Sequence, residues 1–247
     1  MIIVFRRAAL TRCYDMMRNC RGFTLVEVII AIAVTMVLLG AIYTAVNSTQ
    51  RHSVGIEGRV VAQQDVKAAL DLMSLELSMA SFNPTFSDGI WHTPPGGAAG
   101  CGTTSAKQEY RGIQEATANS IAVEMDINGN RVLGDPNETI RYVYDTAHQR
   151  ITRATNCGGG NQAFLGAESG TRNVRVVNND YDPVIPVFRY FDGQGTEIGD
   201  LPAGIPDIRR IEITLAVETE HINPNTGERQ RLIYSTSVIP RNHVINQ

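Results

Sequence analysis

Glu27 stands in the most demanding chemical setting of this chain. It follows Arg21-Gly22-Phe23-Thr24-Leu25-Val26 and lies inside an apolar run from Phe23 to Val46, where Tyr43 is the only other ionisable side chain. A carboxylate near the centre of a lipid-embedded helix costs on the order of 3 kcal/mol. Glu27 therefore needs a partner, and the run holds no cation to supply one. A second set of oxygen side chains, Asp126, Asn128 and Asn130, occupies alternate positions, with Asp135 and Glu138 further on. Calcium loops present their first ligands with that spacing. The pattern departs from theirs, because Arg131 takes the glycine position and Asn137, with Glu138 one place later, stands where the closing glutamate belongs. Asn128-Gly129 equally makes a turn, since both residue types accept positive φ, and the turn is the simpler reading. His52, His92, His148, His221 and His243 show no metal or triad spacing, and there is no Gly-x-Ser-x-Gly, phosphate loop or dinucleotide fingerprint. No catalysis is expected, and calcium is the one cofactor the sequence suggests.

The element that must position Glu27 is a helix. Roughly 20 apolar residues suffice to cross a bilayer, and the run from Phe23 supplies them. Arg6, Arg7, Arg12, Arg18 and Arg21 precede it against the single acid Asp15. Basic residues hold that end in the cytoplasm, so the C-terminal portion is delivered outside. The whole chain has 22 basic and 25 acidic residues; setting aside those five arginines and Asp15 leaves 17 and 24, a net charge of −7. A domain that acidic has no general attraction for nucleic acid. Cys13 and Cys20 lie before the span. Cys101 and Cys157 lie after it in Gly-rich surroundings, and in an oxidising space they are expected to form one disulfide. Closing so long a loop contributes roughly 4 kcal/mol in the chain-entropy view.

Helical character continues past the span. From Ser53 to Ala80 there is no proline, and Val54, Val61, Leu72, Leu75 and Met79 recur at helical spacing, which predicts a stripe facing a core. Ser81-Phe82-Asn83-Pro84 ends the helix, because the residue before proline leaves the helical region. Residues 85–118, rich in Gly, Pro, Ser and Thr, read as a long loop holding the only tryptophan, Trp91. Beyond them the period becomes two. Strands are expected at 121–125, 139–144, 150–153, 184–191 and, in strict alternation, 211–218; Asn223 to Gly227 turns the last into a partner at 231–239. The expected fold is α+β, a long N-terminal helix packed on an antiparallel sheet domain. Its segments are residues 1–22, a membrane half at 23–46, an amphipathic half at 47–82 and a sheet domain at 83–247.

Gly22-Phe23-Thr24-Leu25-Val26-Glu27 ahead of such a run resembles the processing site of the type IV pilin family. The resemblance implies that residues 1–22 are a leader cut after Gly22 by a prepilin peptidase, that the Phe23 amine is methylated, and that Glu27 pairs with the terminal amine of a neighbouring subunit. It places the chain first in the bacterial inner membrane, single-pass with a periplasmic domain, and then in a pilus at the cell surface. Looser signatures, including Leu70-Asp71-Leu72-Met73, Asp126-Ile127-Asn128-Gly129-Asn130 and Phe188-Arg189-Tyr190-Phe191-Asp192, resemble the PilW-type minor pilins. Those imply a role in starting or capping a pilus, with other minor pilins, the major pilin and a tip adhesin as partners. The J-type minor pseudopilins of type II secretion share the N-terminal chemistry and remain an alternative, as does a tip-located adhesin.

Overall fold

The computed structural model describes residues 22–93, 102–104, 109–156, 160–166 and 173–243. Cys101 and Cys157, expected to pair, lie outside the described residues. The chain divides into two compact units, Met1–Arg51 and His52–Gln247.

One helix, α1, runs from Leu25 to Ser78. In the first unit its apolar residues from Leu25 to Val46 are exposed, and the helix is long and apolar enough to cross a membrane. In the second unit one seam is buried: Ala62, Val66, Ala69, Leu70, Met73 and Leu77. These positions repeat at three, four or seven residues, one face of a helix. The expected stripe was placed on the wrong side. Val54, Leu72 and Leu75 are exposed, and Val61 and Met79 are only half-buried. The seam includes Ala62 and Ala69, which carry little hydrophobic signal, whereas Leu72 and Leu75 on the exposed side carry a strong one.

Among the described residues, nine strands form two antiparallel sheets. The first follows sequence order: β1 (Ile113–Ala116), β2 (Ser120–Glu124), β3 (Thr139–Asp145), β4 (Arg150–Thr155) and β5 (Gln162–Leu165). The second is built on β8 (Arg210–Thr219), with β6 (Val174–Val176) and β7 (Phe188–Phe191) on one side and β9 (Arg231–Val238) on the other. The alternation read in 211–218 holds for the apolar face, with Ile211, Ile213, Leu215 and Val217 fully buried, but the other face is wet only up to Thr214, since Ala216 and Glu218 are buried as well. Two expectations are corrected. β1 arises inside the stretch read as loop, and only the end of 184–191 is a strand. Both sheets and the helix seam share one hydrophobic core. Trp91 packs with Ile90 and Leu133 in a small cluster of its own.

Between β6 and β7 the inner edge of β8 has a gap, and a side chain fills it. Asn178, fully buried, donates through Nδ2 to Thr214 O at 2.9 Å and accepts from Ala216 N at 2.9 Å, as a strand would. The end of the helix is locked by close approach. A Cβ on Gly112, which has φ +82°, would lie 2.8 Å from Ser81 Cα. His243, also fully buried, has Nδ1 2.9 Å from Ser81 Oγ and 3.0 Å from Arg111 O, and Nε2 2.9 Å from Ile205 O.

A polar cluster joins the helix to the first sheet. The Arg153 guanidinium grips Glu76 with two bonds, Nη2 to Oε1 at 2.5 Å and Nε to Oε2 at 3.1 Å, and the Tyr142 hydroxyl donates to the same carboxylate. Burial, with that carboxylate beside it, raises the Tyr142 pKa. Phe164 meets the Tyr142 ring edge-on at 5.3 Å. Replacing Glu76 by Ala leaves a half-buried guanidinium and a buried phenol unpaired, and is expected to cost on the order of 2 kcal/mol. Chemical denaturation checks this, and Glu76→Gln should recover part of the loss.

Candidate functional site

The Gly22–Phe23 bond precedes the helix. Both residues are non-helical and exposed, and Phe23 is 86% accessible. A protease needs an extended, reachable bond, and this one is presented just before regular structure begins. Thr24 then acts as the helix cap. Its Oγ1 accepts from Glu27 N at 3.2 Å, while Glu27 Oε2 accepts from Thr24 N and from Thr24 Oγ1, both at 2.9 Å. This is a capping box, Thr-x-x-Glu, in which cap and acid satisfy each other's backbone donors. The sequence carried the signal in Thr24-Leu25-Val26-Glu27, but the apolar run drew the reading toward a distant partner alone. Glu27 therefore has local compensation as well. Its negative charge also sits at the positive end of the helix dipole.

The loop joining β2 to β3 gathers Asp126, Asn128 and Asn130 as expected. Asp126 is fully buried; Oδ1 accepts from Gly129 N at 2.8 Å and Oδ2 from Arg131 N at 3.1 Å. Asn128 Oδ1 accepts from Asn130 N at 2.9 Å, and Asn130 Oδ1 from Val132 N at 2.8 Å. Both asparagine amides donate to Asp135 Oδ2 at 2.7 Å. Glu138, nearly buried, accepts from Ile127 N, Gly134 N and Asp135 N. The oxygens that a cation would use are thus engaged by the loop's own N–H groups. Gly129 at φ +74° supplies the turn read in Asn-Gly. Among the described residues no group of three or more His, Cys, Asp or Glu is placed to hold a metal ion.

A constellation the sequence reading missed lies beside that loop. Glu124, on β2, is fully buried and faces His92, whose Nδ1 is 2.5 Å from Oε1 and whose backbone N–H donates to Oε2 at 3.0 Å. Gln114 Nε2 completes the cradle. A buried carboxylate needs a counter-charge or several donors, and here His92 and Gln114 surround it with hydrogen-bonding groups. The hydrogen bond to Glu124 raises the His92 pKa. The only clue in the sequence was an acid within the apolar strand Ile121-Ala122-Val123-Glu124-Met125. His92 also lines an open cleft of about 650 Å3, with Asp88, Thr104 and Arg131 among its walls.

Because the folded-state pKa of His92 is raised, its contribution to stability is fully present below the unfolded value of about 6.5 and is lost as pH rises through the folded value. His243 works in the opposite sense: burial lowers its pKa, so its contribution is lost as pH falls below that same value. The difference between wild type and His92→Asn isolates the first. Melting temperatures should lie further apart at pH 6 than at pH 9, and a gap that does not change with pH would contradict the imidazolium–carboxylate pairing.

Residues 17–43 match the prokaryotic N-terminal methylation motif. No curated protein matches the chain. Among solved structures, a type IV-like pilin from Thermus thermophilus matches with 12% sequence identity and a TM-score of 0.40, covering 74% of this chain and 98% of that one.

Proposed function

We propose that this chain, whose N-terminal segment is that of the type IV pilin superfamily, is a minor pilin of the PilW type that helps start or cap a type IV pilus. The observation that carries the reading is the N-terminal arrangement. A peptidase-accessible Gly22–Phe23 bond stands before a capped helix whose apolar residues are exposed from Phe23 to Val46. Such a surface is stable in lipid and, after extraction, only among similar helices.

On this reading Phe23 becomes the methylated N-terminus, and Glu27 exchanges its bond to Thr24 for the amine of a neighbour. In a low-dielectric bundle that pair neutralises both charges. The partners are the prepilin peptidase, the major pilin, other minor pilins and a tip adhesin. The J-type pseudopilin of type II secretion shares all of this chemistry, and its distinguishing property is the pathway it serves. The exported domain carries a Cys101–Cys157 disulfide, and its loop at 126–138 is a self-sufficient turn. Intact mass lighter by two hydrogens than the reduced form, and no calorimetric heat at millimolar calcium, check those two points together.

The decisive experiment is a deletion strain counted for surface pili by electron microscopy, with secreted enzymes assayed alongside. Few pili with normal secretion is the expected result; normal pili with lost secretion would transfer the protein to the secretion machine. Glu27 is tested in the same strain. Glu27→Gln keeps a side chain able to complete the capping box but removes the charge, whereas Glu27→Ala removes both. Both variants should be processed normally and fail to enter filaments. Normal incorporation of Glu27→Gln would show that the cap, and not the ion pair, is what assembly uses.

A further inference from the structure

The second sheet leaves one long edge open. β9 pairs with β8 in an unbroken register of eight residues, from Arg231 opposite Glu218 to Val238 opposite Ile211. In an antiparallel ladder, alternate residues aim their backbone groups at the partner strand and the others away from it. Thr219 N donates to Gln230 O at 2.9 Å, which places Gln230 among the inward-facing residues. Leu232, Tyr234, Thr236 and Val238 then also face β8. Arg231, Ile233, Ser235 and Ser237 aim their N–H and C=O groups outward, and no backbone hydrogen bond among the described residues reaches them.

Edges of this kind are normally guarded by lysine, proline, a bulge or a short strand. β9 has none of these. Its one charge, Arg231, sits at the end and pairs with Glu218 at 3.4 Å. Ile233 stands 52% exposed in the middle of the strand. The contrast with the other side of the sheet is direct, since there a gap only a few residues wide is filled by the Asn178 side chain.

We propose that the outer edge of β9 is a strand-addition site, occupied in the assembly by an extended segment of another pilin subunit. A row of alternating unpaired donors and acceptors is complementary to one thing, the backbone of another strand, and β-augmentation draws its affinity from those main-chain bonds. Ile233 selects an apolar neighbour on the solvent face, and Ser235 and Ser237 admit small or hydroxyl-bearing ones. The choice of a pilin as the strand's source rests on the function proposed above.

The test uses the full-length chain in membranes of cells carrying epitope-tagged versions of their own pilins. Ile233→Pro deletes one outward N–H that β8 does not use, a substitution edge strands tolerate, while Ile233→Ser keeps the N–H and shortens the side chain. Ile233→Pro should reduce co-purification with at least one tagged pilin by tenfold or more, and Ile233→Ser by much less. Equal loss in both variants, or loss in neither, overturns the proposal. Hydrogen exchange of the wild-type protein guards against a folding defect: the amides of Ile233, Ser235 and Ser237 should exchange fast in the isolated chain and slow in the complex. Slow exchange in the isolated protein, with dimer mass, would assign the edge to a second copy and overturn the pilin assignment. Tagged pilins bound with these amides still unprotected would sink this inference alone, whereas no pilin bound at all and normal pili on deletion would sink the functional reading beneath it.

Discussion

The seam of α1 organises everything that follows it in the chain. Ala62, Val66, Ala69, Leu70, Met73 and Leu77 form the spine on which both sheets close. Polar contact then fixes the seat: Glu76 reaches from the helix to Arg153 and Tyr142 and turns a hydrophobic contact into one with a single orientation.

The same accounting holds for five acids, of which Glu124, Asp126 and Glu138 are buried, Glu76 is half-buried and Glu27 is exposed. Glu27, Glu76, Glu124, Asp126 and Glu138 are each met by donors drawn from a neighbouring element or from their own loop. In the second unit the carboxylates of Glu76, Glu124, Asp126 and Glu138 are thereby held in fixed positions by protein donors.

Much of this was legible in the residues. The N-terminal methylation motif, the membrane-length run and the β8–β9 hairpin all follow from local pattern, whereas α1 ends at Ser78, ahead of the Ser81-Phe82-Asn83-Pro84 stop read in the sequence. What escaped was set by tertiary contact. The buried face of α1 was misjudged because its alanines are weak signals beside Leu72 and Leu75. β1, β5 and β6 are three or four residues long, too short for a period to establish itself, and they exist because neighbours pair with them. His92 and Glu124 are 32 residues apart and meet only once the loop has folded over β2. The capping box was readable in Thr24-Leu25-Val26-Glu27 and was overshadowed by the stronger hydropathic signal around it.

The knot around His243 has a bearing on time as well as on stability. The imidazole joins the end of α1 at Ser81, the turn before β1 at Arg111 and the segment before β8 at Ile205, yet it belongs to one of the last residues described. A ribosome releases this chain from its N-terminus, so the helix and both sheets exist in sequence before the plug that closes them. The domain cannot reach its final packing until its tail has emerged. Without His243 the end of α1, the turn before β1 and the segment before β8 would lose the one side chain that ties all three together.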